Sequence, residues 1–281
     1  VRAWLELVRA PAALSVPGDT LAGAAAAGRS ARPGLAVASV LLYWAGMALN
    51  DWSDRELDAK ERPERPIPSG RISPGGALGL AAALTGAGVA AAAVFGGRRG
   101  LAVASLLAGS VWAYDLKLKH TPAGPAAMAA CRVLDVLLGA GPDTRAAAPM
   151  ALAVGAHTYG LTVLGTAEVD GATPAIVTQA LAATGASAAL AAVACRGGET
   201  TGRLGAAVMI AGYLATAGGA QAALRADPDP EQVRQAVRMS ILGLIPLQAA
   251  AVAGRGRLAQ AAALLAALPA GRWLSAKVAT S

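Results

Sequence analysis

Three aspartates spaced i, i+3 and i+7, Asp51, Asp54 and Asp58, follow directly on a long apolar stretch that ends in Asn50. At 3.6 residues per turn they fall on one helix face, within about 60° of each other. Three carboxylates so close repel one another unless a cation neutralises them. Carboxylate oxygens suit Mg2+, which commonly takes one or two of them together with waters and substrate phosphate oxygens. The spacing therefore predicts Mg2+ ligands. The plainer reading is a solvated acidic helix end balanced by Arg55, Lys60 and Arg62. The cluster abuts an apolar span and has Arg62 and Arg65 behind it, which favours the metal.

A second polar segment reads Tyr114-Asp115-Leu116-Lys117-Leu118-Lys119-His120. Two lysines at a helix end act either as topology signals or as point charges for a phosphate. Arg132 and Asp135 sit i, i+3 inside an apolar segment. Charges at membrane depth face a cavity or each other, so a structural ion pair and a pocket contact both stay open. Asp19 and His157 read as hydrogen-bonded packing groups. Cys131 and Cys195 have no second ligand nearby and read as buried, inert thiols.

The elements that must position these groups read as membrane spans. The 281 residues are 55% hydrophobic and 15% charged, with mean hydropathy +0.50. That is well below the charge content of a soluble domain, about 25%. Apolar runs of spanning length fall near 10–28, 34–52, 76–95, 100–115, 124–141, 146–167, 174–195, 202–223 and 234–253, and 257–275 is a tenth span or an interfacial helix. Breaks carry turn residues, among them Ser73-Pro74-Gly75, Gly96-Gly97 and Asp227-Pro228. The first stretch holds Pro17 and Asp19 and reads as a retained helix rather than a cleaved leader. The expected fold is an all-α membrane protein, a single domain over 1–281, with about nine transmembrane helices around a central cavity.

Net charge is +7, yet the basic residues are scattered singly through loops, with no basic face interleaved with aromatics; this excludes nucleic acid as a partner. With the N-terminus inside, fourteen Lys and Arg fall on the inner side and nine on the outer, the expected direction of bias. The loops after spans two, four and six share one face in either orientation. They hold nearly all the chemistry.

The segment N-D-x-x-D-x-x-x-D from Asn50, followed by Arg62-Pro63-Glu64-Arg65-Pro66-Ile67-Pro68-Ser69-Gly70, resembles the UbiA superfamily of intramembrane prenyltransferases. The resemblance covers essentially the whole chain. It implies a helical bundle whose cavity opens sideways to lipid, with Asp51, Asp54 and Asp58 holding Mg2+ and the diphosphate of a polyprenyl donor. It implies that Lys119 contacts diphosphate and that Tyr114 lies near the reacting allylic carbon. Arg62 and Arg65 would neutralise the leaving diphosphate, with Asn50, Lys117, Arg132 and Asp135 lining the substrate site. The family's second aspartate motif falls in the loop after span six. Here Thr162 and Thr166 stand where two of its three carboxylates would be, and Glu168 and Asp170 are the acids left to orient substrate. This departure, with R-x-L-D in span five, resembles the divergent branch found in the bacterial Ebo gene cluster.

The function so implied is transfer of a prenyl group to an aromatic or lipid acceptor in a bacterial-type cytoplasmic membrane, with the site loops cytoplasmic. A terpene cyclase of the same family is the nearest alternative. A membrane carrier or lipid-binding protein is the alternative from another class. Carriers are often built from internal repeats; this sequence has none, and its acidic cluster is one-sided.

Overall fold

The computed structural model describes residues 2–10 and 16–266 and is helical throughout, with no strand among those residues. The elements are α1 (Arg2–Leu7), α2 (Pro17–Ala26), α3 (Pro33–Ser53), α4 (Arg55–Glu61), α5 (Pro74–Ala113), α6 (Gly124–Ala140), α7 (Thr144–Gly165), α8 (Pro174–Ala194), α9 (Thr200–Tyr213), α10 (Gly219–Ala223) and α11 (Pro230–Ala253). One π-helical turn, Tyr114–Leu118, extends α5, and another, Leu214–Gly218, joins α9 to α10.

Local sequence sets the starts. Ser73, Thr173 and Asp229 each precede a proline, and their side-chain oxygens accept from the backbone N–H of Gly76, Ile176 and Gln232. Such a residue at the cap with proline at the first helical position satisfies an orphan donor and presets φ. Helices α2 and α6 approach through small residues. A Cβ on Gly23 would collide with the Val136 carbonyl and one on Gly139 with the Thr20 backbone, the close packing expected where lipid, not water, surrounds a bundle.

Among the described residues six helical stretches are long and apolar enough to cross a membrane: Pro33–Ser53, Pro74–Leu118, Thr144–Gly165, Pro174–Ala194, Thr200–Ala223 and Pro230–Ala253. The expected nine are not reached on that basis. Helix α2 has 10 residues and α6 has 17, and part of the first expected span, 11–15, lies outside the described residues. So does 267–275 of the proposed tenth. The expected spans 76–95 and 100–115 fall in one helical run, but the run is not straight. Gly97 has φ 63 and ψ −155, a backbone conformation open essentially to glycine alone. Trp112 Nε1 donates to Thr85 Oγ1 at 3.1 Å. A straight helix would separate these residues by about 40 Å, so the run doubles back at Gly97 as a hairpin.

The bundle's two ends differ. At one, arginines reach the carbonyls of neighbouring helix ends. Arg255 donates to the Ala25 and Ala26 carbonyls at 3.0 and 2.6 Å, and Arg257 to that of Arg29 at 3.0 Å. Arg32 donates to the Phe95 carbonyl at 3.1 Å, Arg99 donates to that of Pro142, and Arg29 pairs with Asp143 at 3.1 Å. The other end carries the acidic cluster. There Leu7 packs with Leu49, Ile67 and Ile72, and Arg71 binds Glu6 at 2.5 Å and the Glu64 carbonyl at 2.6 Å. The hydrogen bond from Arg71 holds the Glu6 carboxyl below its ordinary range. Helix α1 is thereby fixed against the 62–73 loop, over the end of α3.

Candidate functional site

Helix α3 ends at Ser53 and α4 begins at Arg55, because Asp54 leaves helical geometry with φ −90 and ψ 3. The three aspartates therefore do not lie on one unbroken helix, and the expected common face is split. Asp51 and Asp58 stay together, their side chains 6% and 4% exposed. Arg65 Nη1 bridges them, at 3.4 Å from Asp51 Oδ1 and 2.6 Å from Asp58 Oδ2. Arg9 Nη2 adds a second contact to Asp51 at 3.1 Å. Arg9 has φ 48, the one positive φ outside glycine among the described residues. Asp54 turns instead to the second segment: Lys119 Nζ lies 2.6 Å from its Oδ1 and 2.6 Å from Ser53 Oγ, with His120 Nε2 at 3.5 Å.

Among the described residues no three His, Cys, Asp or Glu side chains are grouped to hold a metal ion. The carboxylates are arranged in twos and ones around protein cations. The donor chemistry nevertheless fits Mg2+. Asp51 and Asp58 turn carboxylate oxygens toward one guanidinium nitrogen, and hard oxygen donors of this kind would hold Mg2+.

The π-turn carries Tyr114 and Asp115 inward. Such a turn adds one residue to a helical turn, and in α-helices it is frequent at functional sites. Asp115 is 5% exposed and accepts from Asn50 Nδ2 at 3.1 Å. Asn50, Tyr114 and Asp115 line the near end of a cavity of about 350 Å3. Its waist is apolar, with Leu42, Met47, Leu107, Val111 and Met128. Its far end carries Ser39, Arg132 and Asp135. Arg132 pairs there with Asp19 at 3.0 Å, not with Asp135; Asp19 also accepts from Gln248 at 2.7 Å, and Asp135 from Ser39 at 2.8 Å. Both open readings of Arg132 thus hold at once, because the arginine is ion-paired and lines the pocket. Asp135 lines it too, bonded to Ser39. A wider depression of about 560 Å3, bordered by Leu21, Arg257 and Leu264, shares no lining residue with this cavity and has no carboxylate.

The remaining expected residues stay apart from the cluster. Arg62 and Lys117 are exposed and make no side-chain hydrogen bond or ion pair with the described residues. Glu168 and Asp170 lie in the turn after α7, which closes on the segment before α11: the Ala172 amide donates to the Pro228 carbonyl at 2.8 Å and Arg234 to that of Glu168 at 3.0 Å. Thr162 and Thr166 turn their hydroxyls to the Thr158 and Val163 carbonyls at 2.8 and 2.7 Å.

Arg9 and Asp115 were not singled out in the sequence. Arg9 reads there as one more topology charge. Asp115 is a carboxylate beside Tyr114 in an apolar run, itself a signal, but a regular 3.6-residue period does not turn both inward.

Comparison with known proteins follows the same lines. The profile of the UbiA prenyltransferase family matches residues 19–240. The digeranylgeranylglyceryl phosphate synthase of Methanopyrus kandleri is 41% identical over 128 residues, 43% of this chain and 46% of the relative. The match thus spans less than half the length of that relative. The ligand-free structure of a UbiA homologue from Aeropyrum pernix superposes with a TM-score of 0.71 at 20% identity, covering 85% of this chain and 96% of that one. A UbiA homologue from Archaeoglobus fulgidus bound to GPP and Mg2+ superposes with a TM-score of 0.60 at 14% identity, covering 88% and 99%. These two share the fold.

Proposed function

This chain belongs to the UbiA prenyltransferase family, and from that premise we propose that it is a Mg2+-dependent intramembrane prenyltransferase. It ionises a polyprenyl diphosphate and passes the prenyl group to a hydrophobic acceptor. The observation that carries this reading is the cluster of Arg9, Arg65 and Lys119 with Asp51, Asp54 and Asp58 at the mouth of an apolar cavity.

Breaking the C–O bond sends an electron pair onto the diphosphate and leaves an allylic cation. Lys119, Arg65 and Arg9 are placed to meet that developing negative charge, and preorganised charge of this kind acts where charge appears. Arg62 and Lys117 are exposed and apart from the cluster, and we assign them to the diphosphate as further cations once donor is bound. Asp51, Asp54 and Asp58 would hold Mg2+, which would supply further positive charge against the leaving group. Tyr114 and Asn50 face the reacting carbon, while the apolar waist excludes water from the cation. Arg132 and Asp135 bound the far end of the substrate space. Glu168 and Asp170 orient the diphosphate from outside.

For the acceptor we take the lipid class. The relative's name describes a glyceryl phosphate carrying two geranylgeranyl groups. A glyceryl phosphate with one prenyl ether and one free hydroxyl is the corresponding acceptor. For the architecture we take nine spans in one domain over 1–281: the six long stretches, the second limb of the Gly97 hairpin, α2 and α6. The site loops face the cytoplasm of a bacterial-type membrane, supported by the excess of Lys and Arg on that side.

The test is diphosphate release by the reconstituted chain from geranylgeranyl diphosphate, with and without acceptor, in Mg2+ and in EDTA. Release in Mg2+ with a prenylated acceptor is expected. A cyclised hydrocarbon formed without acceptor would make the chain a cyclase, and no release from any prenyl diphosphate would end the enzymatic reading.

A further inference from the structure

Transfer to a hydroxyl requires a group that takes its proton, and the second aspartate motif does not supply one inside the cavity. Thr162 and Thr166 are bonded to their own helix, and Glu168 and Asp170 lie in a turn against Pro228 and Arg234. Two carboxylates do line the cavity, Asp115 and Asp135.

Their positions separate them. Asp135 is bonded to Ser39, and Asp115 to Asn50. Ser39 and Asn50 are eleven residues apart on α3, about 16 Å along its axis. Reacting atoms must come within about 3–3.5 Å. The reacting carbon is tied to a diphosphate at the Asn50 end, so Asp135 is out of reach and Asp115 is not.

Asp115 also has a free oxygen on the cavity side. Asn50 occupies Oδ1. Among the described residues no hydrogen bond or ion pair is made to Oδ2. A Cβ added to Gly46 would stand 3.9 Å from that oxygen, so glycine leaves space over it.

We infer that Asp115 is the catalytic base, accepting the proton of the acceptor hydroxyl at the junction of the cation cluster and the cavity. The inference rests on the prenyl-transfer reading above. The C1–O bond of the donor breaks with its electron pair leaving on diphosphate. The acceptor oxygen forms the new bond to C1, and its proton passes to Asp115 Oδ2 as the carboxylate becomes carboxylic acid. Asn50 holds the carboxylate in place through its other oxygen.

The discriminating variant is Asp115→Asn, because its amide oxygen still accepts from Asn50 while the base is gone. Donor ionisation is read by positional exchange of the bridging oxygen of geranylgeranyl diphosphate, transfer by product formation with a geranylgeranylglyceryl phosphate or an aromatic hydroxy acid, and donor affinity by titration calorimetry with a non-hydrolysable analogue. Transfer should fall by about 10^2–10^4 in kcat, with exchange and donor affinity within about twofold of wild type, and Asp115→Glu should recover part of the transfer. Transfer by Asp115→Asn at the wild-type rate would overturn the assignment. Loss of exchange and donor affinity along with transfer would also overturn it, placing Asp115 in the donor site. Wild type that ionises donor but transfers to neither acceptor would leave no proton for Asp115 to take. Wild type that does not ionise donor would strike the underlying function instead.

Discussion

Replacing Arg65 with Gln should destabilise the free protein, and Mg2+ should largely repair it. In the structure one guanidinium nitrogen serves both Asp51 and Asp58, and among the described residues Arg65 is the one ion-pair partner of Asp58. Both carboxylates are almost fully buried, while the Arg65 side chain is 20% exposed. Removing one partner of a buried pair costs about 3–5 kcal/mol, and the partial exposure of Arg65 puts this case near ~3 kcal/mol. For a chain of this size that is a fall of about 6 °C in midpoint, at roughly 2 °C per kcal/mol. The measurement is thermal unfolding of the detergent-solubilised full chain, followed by tryptophan fluorescence, in EDTA, in Mg2+, and in sodium at matched ionic strength. A divalent ion present at 100 times its Kd returns about 2.7 kcal/mol, so the variant should recover most of its midpoint in Mg2+. Wild type should gain less, since there the ion must displace the guanidinium. A variant as stable as wild type in EDTA would refute the energetic argument. An equal Mg2+ gain in both proteins would refute the claim that the ion and Arg65 use the same oxygens.

Asp51→Asn should weaken a non-hydrolysable prenyl diphosphate analogue by two orders of magnitude or more in calorimetry, and Asp170→Asn by less than tenfold; equal losses would show that the turn after α7 joins the site. In a background lacking Cys131 and Cys195, Ser69→Cys and Val169→Cys should be modified from the same side of the membrane by an impermeant thiol reagent, and modification from opposite sides would break the proposed span order. Gly97→Ala meets no neighbour but forces a side chain onto φ 63, so it should cost about 1–3 kcal/mol in thermal unfolding. Gly109→Ala, which also faces open space within a helix, should cost nothing, and equal midpoints for the two would remove the special role of the hairpin bend.

The membrane class and the acidic cluster could be read from residue type and spacing, because hydropathy and carboxylate spacing are local properties. The sharing of partners could not. A reading at constant period puts Asp51, Asp54 and Asp58 on one face. The chain breaks at Asp54, which sends that residue to Lys119 and leaves the other two on Arg65. Asp115 escaped for a similar reason, since a π-turn shifts phase by one residue and no composition rule marks where it occurs. Arg9 is brought to Asp51 by α1 packing through Leu7, a contact spanning 42 positions. The hairpin at Gly97 was legible as a Gly-Gly break, although the flanking residues 98 and 99 remain helical.

The arginines that clasp the Ala25, Ala26, Arg29, Phe95 and Pro142 carbonyls make that end of the bundle a fixed base. Those on Ala25 and Ala26 pair a positive charge with the negative pole of α2, and opening this end would cost several such contacts together. On the proposed function, the volume a prenyl chain needs on entering would come from the far rim, where α1, α4 and the 62–73 loop carry ion pairs that a polyanionic guest can take over. The molecule is a vessel hinged at its lip, and amide exchange should be slowest around 25–29 and 252–257 and fastest along 55–65.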